Sequence, residues 1–352
     1  MPTHKSVKKD KSTKKHKKQK NEDIYKKKTH HEHILSESDM YIGTIKSEEK
    51  KMWIYDDDTE MIILKEIDYI AGLYKIFDEI LVNARDQTIR DKTCKTIKIS
   101  IDSESGEISV YNDGIGIPVE IHKEYDMYIP TMIFGHLLTS SNYEQEDKTT
   151  GGKYGYGAKL TNIYSKSFVV ETSDKKTKMK FHQKFTDNMY KSEKPVVKKY
   201  SGSPHVLIKF IPDYERFGVD NISDDMVALF KKRVYDLAAC TKSNIKVYLN
   251  DVRITIKDFK EYIYLYYKKN DLIATPVFEE ANKYWRVGVV YQPDSGFDHI
   301  SFVNGIWTYQ GGSHVEHVMS QIVDALTKHI KKKHKDIMIK PAHIRDNLTL
   351  FL

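Results

Sequence analysis

Glu79 and Asn83 stand four residues apart in the stretch Asp78-Glu79-Ile80-Leu81-Val82-Asn83-Ala84. On an α-helix that spacing stacks a carboxylate and a carboxamide on one face. Asp86 and Arg90 continue the same polar strip. Asn is a mediocre helix former where a solvated face would favour Lys, Glu or Gln, so the strip reads as the lining of a site. Downstream, Asn112-Asp113-Gly114-Ile115-Gly116-Ile117-Pro118 offers a bare, turned backbone that a ligand can approach closely. Gly151, Gly152, Gly155 and Gly157 then crowd into the positions just ahead of a short helical run, Ala158 to Tyr164. Such a loop can aim several backbone N–H groups at one anion, with the helix dipole and the charges of Lys153 and Lys159 adding to the attraction. The common phosphate motifs do not fit: Gly152 and Gly157 have the Walker spacing, but Ala158 precedes Lys159, and Leu160 stands where the dinucleotide pattern needs a third Gly. Alone, the second segment also reads as an ordinary turn and the third as a flexible surface loop. Together the three read as an ATP site that is not a P-loop.

Such a site needs elements to hold it. Ile67, Ile70, Leu73, Tyr74, Phe77, Ile80, Leu81 and Ala84 recur at three- and four-residue steps, which predicts an amphipathic helix over Glu66 to Arg90 with the polar strip on its other side. Thr96 to Ile101 and Glu107 to Tyr111 alternate about the polar turn Asp102 to Gly106 and read as a hairpin, which Asn112-Asp113-Gly114 breaks. Further strands are expected at Ser167 to Glu171, Lys178 to Phe185, His205 to Phe210 and Asn244 to Leu249, with a helix over Asp224 to Cys240. This is a helix layer on an antiparallel sheet. Beyond about Asn250 the character changes to a second α/β part with segments Arg286 to Tyr291 and Ile300 to Asn304. A long helix follows over Ser313 to Lys333, with Val315, Val318, Ile322, Leu326 and Ile330 on one side. Leu348 to Leu352 reads as the start of a strand or helix in a domain that is cut short, and there are no internal repeats.

The 352 residues can bury a large core and hold roughly two domains. No run of about 18 apolar residues occurs and no apolar segment follows the first lysines, so neither a membrane span nor a secretory signal is expected and the chain reads as intracellular. Cys94 and Cys240 match no disulfide framework or zinc spacing, in keeping with a reducing compartment. The net charge of +7 is modest, but residues 1 to 20 hold nine lysines against Asp10 alone. That tail has almost nothing apolar to bury and reads as disordered; solubilising, phosphate-contacting and targeting roles all suit it. The cluster His30, His31 and His33 invites a metal reading, but no further ligand recurs nearby at suitable spacing.

The trio of segments at 78–84, 112–118 and 151–159 resembles the ATP-binding fold shared by DNA gyrase, heat-shock protein 90, histidine kinases and the mismatch-repair ATPase MutL. Longer strings narrow the resemblance to type IIA enzymes of the eukaryotic DNA topoisomerase II kind: Gly72 through Ala84, Leu137-Leu138-Thr139-Ser140-Ser141-Asn142-Tyr143, Ile300-Ser301-Phe302-Val303-Asn304-Gly305, and Gly311-Gly312-Ser313-His314-Val315. It runs from about Tyr25 to Leu352. The resemblance implies an α+β chain: a disordered tail over 1–20, a GHKL (Bergerat-type) ATP-binding α/β sandwich with an N-terminal arm over 21–248, and a ribosomal-S5-like transducer domain over 249–352, partial and truncated at its C-terminus.

Residue by residue, it implies that Glu79 is the general base that activates water and that Asn83 holds Mg²⁺. Asn112, where gyrase-like relatives carry Asp, would read adenine, and Gly116 would let the base approach the backbone. Ser140, Ser141 and Asn142 would contact ribose or phosphate, while Gly152, Lys153, Tyr154, Gly155, Tyr156, Gly157, Ala158 and Lys159 would wrap the triphosphate. Tyr25 would cross to the nucleotide of a second subunit. Tyr154 stands where the family usually has Asn, Ser36-Glu37-Ser38 replaces the usual Arg-Pro, and the chain ends before the family's Gln-Thr-Lys loop and its DNA-cleaving part. The implied function is the ATP-driven gate of an enzyme that passes one DNA duplex through another. ATP and Mg²⁺ would be its cofactors, double-stranded DNA and a second copy of the chain its partners, and no membrane is involved. It would act in the nucleus of a eukaryotic cell, or at a replication site or in the virion if viral. The rival readings are a nucleotide-dependent dimerisation or DNA-contacting module without efficient turnover, and another ATPase of the same fold such as a mismatch-repair relative.

Overall fold

Thr29 starts the first helix, α1 (His30–Ser36), through a reciprocal cap: its hydroxyl accepts the Glu32 N–H while its own N–H donates to the Glu32 carboxylate at 2.7 Å. The computed structural model describes residues 27–137, 150–152, 155–256 and 258–352. The Lys-rich tail, Tyr25, Ser140, Ser141, Asn142, Lys153 and Tyr154 lie outside the described residues.

Strands β1 (Glu48–Asp56) and β2 (Met61–Tyr69) form an antiparallel hairpin of which the apolar stripe gave no warning. The helix expected from Glu66 is corrected by it: Ile67 and Tyr69 turn inward as alternate residues of β2, paired with Lys50 and Glu48, and α2 begins only at Ala71 and runs to Arg90. The step from Ile67 to Ile70 fits a helix and a strand end equally well, and pairing with β1 decides it. On α2, Leu73, Ile76, Phe77 and Leu81 are fully buried, and Phe77 stacks on Phe230 with ring centroids 4.0 Å apart. Burying each such side chain stabilises the fold by about 1.5–3 kcal/mol before entropy is charged.

The hairpin β3 (Thr96–Ile101) and β4 (Ile108–Asp113) follows, then the short pair β5 (Ile121–His122) and β6 (Met127–Tyr128), α3 (Ile129–Gly135) and α4 (Gly157–Ile163). Strand β4 is longer than the sequence suggests. Asn112 and Asp113 do not break it, because each still pairs with the strand His205–Pro212, and the chain turns away only at Gly114. Strands β7 (Ser165–Ser173), β8 (Met179–Thr186), β9 (Lys191–Ser192), β10 (Val196–Lys199) and β11 (His205–Pro212) come next, then α5 (Asp224–Cys240), β12 (Lys246–Leu249) and β13 (Val252–Arg253). They make one sheet in the order β10-β8-β7-β11-β4-β3-β12-β13, with β9 on β8; β12 joins β3 in parallel and the other pairs are antiparallel. Ile97, Ile99, Val110, Phe168, Val170, Ile208 and Phe210 alternate toward α2, α4 and α5, and the intervening residues face outward.

After α6 (Phe259–Ile263), a second sheet runs β14 (Val277–Asn282), β15 (Trp285–Tyr291), β19 (Leu348–Phe351), β16 (Asp298–Ile300), with β19 parallel to β16. The strand expected over Ile300 to Asn304 is two: after β16 the chain starts a separate hairpin, β17 (Phe302–Val303) and β18 (Ile306–Trp307), which turns at Asn304-Gly305. Helix α7 (Ser313–Lys333) covers the second sheet through Val315, Met319 and Val323, with α8 (Pro341–Arg345) beside it. Leu348 to Phe351 is a fully buried strand.

Candidate functional site

Helix α2 sets one wall of a cavity of about 790 Å³ with Glu79, Asn83, Gln87 and Arg90; Asp86, expected on the same strip, does not line it. The inner face of the sheet supplies Val110, Asn112, Val206 and Ile208, while α3 adds Ile129, Met132, Ile133 and Phe134. Gly151, Gly152, Gly155, Tyr156, Gly157, Ala158 and Lys159 close the remaining side. The three sequence segments, up to 80 residues apart along the chain, therefore meet in one place. Gly116 does not line the cavity; its φ of +75° and the Ser173 carbonyl, which any Cβ would strike, demand glycine there.

Glu79 lies at the start of α4. A Cβ at residue 157 would overlap its carboxylate, so Gly157 is needed for space, its φ lying outside the left-handed region. Lys75, one turn earlier on α2, holds Glu79 Oε1 at 2.5 Å. Burial alone would depress the Lys75 ammonium, but the Glu79 charge outweighs it and holds the group above its ordinary value. Asn83 Oδ1 and Asp86 Oδ2 both lie 3.6 Å from where a Gly152 Cβ would be, which leaves an open cradle beside two oxygens. The fully buried Asp86 carboxylate accepts the Gly151 N–H at 3.1 Å and the Gly152 N–H at 2.9 Å, and so anchors the glycine stretch to α2.

Asn112 is buried on β4 and its Nδ2 donates to the Asp113 carbonyl at 2.8 Å. The turn after it is braced from both sides. Asp91 accepts the Ile115 N–H (2.7 Å), and Thr172 Oγ1 accepts the Ile117 N–H (3.0 Å). Burial would raise the Asp91 carboxyl, yet hydrogen bonds from Thr93 and Ile115 keep it below the usual range. Lys159 is 2% exposed, its Nζ donates to the Gly155 carbonyl at 2.5 Å, and burial pushes its pKa down to about 8.

Sequence reasoning did not single out Lys75, Asp78 or Arg85. Asp78 lines the cavity and accepts Arg233 Nε at 2.7 Å, while Arg233 Nη2 donates to Gly305 O at 2.6 Å. Ile306 of the second part reaches the same cavity. Charged residues next to Glu79 and Asn83 in the sequence were the available signal. Among the described residues no group of three or more potential ligands could by itself hold a metal ion, and no helix is long and apolar enough to cross a membrane.

A sheet layered on helices, with an acid and an amide from one helix facing a glycine-rich turn, followed by a second α/β unit that reaches into the same cavity, defines the ATPase class of histidine kinases, DNA gyrase B and HSP90 joined to a gyrase B-type domain. The model of histidine kinase-, DNA gyrase B- and HSP90-like ATPases matches residues 69–187, and that of DNA gyrase B matches residues 244–352. The chain is 48% identical over 338 residues to the DNA topoisomerase 2 of Acanthamoeba polyphaga mimivirus, covering 94% of this chain and 27% of that protein. It superposes on the ATPase region of Saccharomyces cerevisiae topoisomerase II with a TM-score of 0.88 and 42% identity, over 94% of this chain and 85% of that one. The ATPase and transducer domains of DNA topoisomerase II from Balamuthia mandrillaris match with the same TM-score and identity, over 95% and 85%. The chain belongs to the DNA topoisomerase II family and corresponds to its ATPase region. It spans about a quarter of the length of the curated relatives.

Proposed function

We propose that the chain binds Mg²⁺-ATP and hydrolyses it, and that ATP draws two copies together as a gate that captures a DNA duplex for passage through another. The observation that carries this reading is the placement of Glu79 against Gly157 in the cavity that also holds Asn112 and Lys159. Asn112 reads the adenine edge at the inner end, and the backbone of residues 152–159 with the Lys159 ammonium surrounds the phosphates, the Gly152 N–H itself being held by Asp86. Glu79 accepts a proton from water as its oxygen attacks the γ-phosphorus and the bond to the bridging oxygen breaks. Lys75 keeps the Glu79 carboxylate aimed. The donor chemistry suits a hard divalent ion: Asn83 Oδ1 beside the open cradle at Gly152 is the oxygen that would hold Mg²⁺. When bound, the ion supplies charge neutralisation across the phosphates.

Residues 21–248 form the ATPase part and 249–352 the transducer in this reading. Tyr25, Ser140, Ser141, Asn142, Lys153 and Tyr154 complete the nucleotide contacts, with Tyr25 reaching the partner's site. Exposed Lys328, Lys331, Lys332, Lys333 and Lys335 at the end of α7 supply a basic surface for the DNA backbone. Sedimentation of the chain with a non-hydrolysable ATP analogue and Mg²⁺, and separately with ADP, tests the gate. A dimer with the analogue and a monomer with ADP are expected; an unchanged mass in both contradicts it.

A further inference from the structure

Arg85 follows Asn83 by two residues on α2 and points away from the cavity toward the β17–β18 hairpin. Its Nη1 donates to the Asn304 carbonyl at 2.7 Å and lies 3.4 Å from Asp86 Oδ1. One guanidinium thus touches the carboxylate that fixes the amides of Gly151 and Gly152 and also the turn of a hairpin in the second part of the chain. That turn has room for it only because residue 305 is glycine. Gly305 takes φ +75°, and a Cβ there would stand 2.7 Å from Arg85 Nε and 3.0 Å from Cδ and Cζ. The residue after it, Ile306, lines the cavity and packs against Gly151, where a Cβ would meet it at 3.1 Å. Arg233 fixes the other side of the same turn and does so from Asp78, the neighbour of Glu79.

We propose that Arg85 is a positioning residue that latches the glycine stretch to the Asn304-Gly305 turn, so that nucleotide in the phosphate site stiffens the β17–β18 hairpin through Asp86. The proposal rests on the ATP-site reading. Ordering Gly151 and Gly152 around phosphates fixes the Asp86 carboxylate that they share, which in turn fixes Arg85 on the Asn304 carbonyl. The effect is reciprocal: a hairpin held in place pre-orders the loop and tightens nucleotide binding. Arg85 touches no reacting atom, so its loss acts on affinity and on the hairpin's response and leaves the chemical step alone.

The test is hydrogen exchange at residues 302–307 in the full chain, with and without a non-hydrolysable ATP analogue, alongside the analogue's affinity. In the unaltered chain the analogue slows exchange in the hairpin. In Arg85→Ala the analogue binds about 10-fold more weakly, the scale of one charge-assisted hydrogen bond, and the slowing of exchange is lost. Arg85→Lys, which can still donate to Asn304 O, recovers part of both. Gly305→Ala crowds Arg85 and weakens the response in the same direction, and its effect is smaller in the Arg85→Ala background, where the crowding is gone. Hairpin protection on analogue binding that is as strong in Arg85→Ala as in the unaltered chain overturns the latch while leaving the ATP site standing. An unaltered chain that does not bind the analogue overturns the ATP-site reading and the latch with it.

Discussion

Raising the pH from 7 to 9 should weaken ATP binding, and the group responsible is Lys159. Its burial against the Gly155 carbonyl pushes the ammonium down from 10.5 to about 8, which brings it into a range where few lysines titrate. Only the charged form attracts phosphate. A group with a pKa near 8 is roughly nine-tenths charged at pH 7 and roughly one-tenth charged at pH 9, so affinity should fall about 10-fold across that interval. Bound phosphate favours the ammonium and raises its pKa, so binding near pH 8 takes up about half a proton, a quantity that calorimetry in two buffers of different ionisation enthalpy reads directly. The folded chain without nucleotide follows the opposite sign. Folding lowers this pKa, the unfolded chain binds more protons between pH 8 and 10.5, and the Lys159 contribution to stability therefore rises with pH there. Lys159→Met should bind ATP weakly and with no dependence on pH between 7 and 9. Equal affinity of the unaltered chain at both pH values, with no proton uptake at pH 8, would refute the assignment of Lys159 to the phosphates.

Asp86→Ala should lower the unfolding free energy by about 1–3 kcal/mol in urea titrations, because the amides of Gly151 and Gly152 lose their buried acceptor; a midpoint equal to the parent's would mean the loop re-pairs them. Asn83→Ala should weaken Mg²⁺-ATP more than metal-free ATP, since only the metal complex uses the amide oxygen, and equal losses in the two titrations would remove Asn83 from the metal site. Asn112→Ala should cut discrimination of ATP against GTP by about 1–3 kcal/mol, the cost of a mismatched buried polar group. Unchanged selectivity in competition binding would assign base reading elsewhere.

How far the sequence carries is visible along α2. Its polar strip was legible in part because a helix's period is local: Glu79, Asn83 and Arg90 do face one cavity, whereas Asp86, read as part of the same strip, is fully buried and holds the Gly151 and Gly152 amides. The start of α2 was not legible, because whether Ile67 belongs to a helix or a strand depends on Lys50, seventeen residues earlier. Asn112 reads as a breaker by propensity, yet ladder bonds to β11 keep it in the strand and thereby aim its side chain inward. The residues outside any local signal are those whose partners are remote. Arg85 meets Asn304 across a separation of 219 residues, which only packing of the two parts creates, and Arg233 meets Asp78 across 155, which only packing of α5 on α2 creates. A charged residue in mid-helix and an Asn-Gly turn were each visible, but nothing in their spacing joined them.

The most direct measurement is ATP binding and steady-state phosphate release by Glu79→Gln beside the unaltered chain. The amide keeps the shape of the side chain next to Gly157 but cannot accept the water's proton. Affinity for Mg²⁺-ATP should stay close to that of the parent, while turnover falls by about 10²- to 10⁴-fold, the range for removing a general base. Turnover by Glu79→Gln at the parental rate would contradict the account.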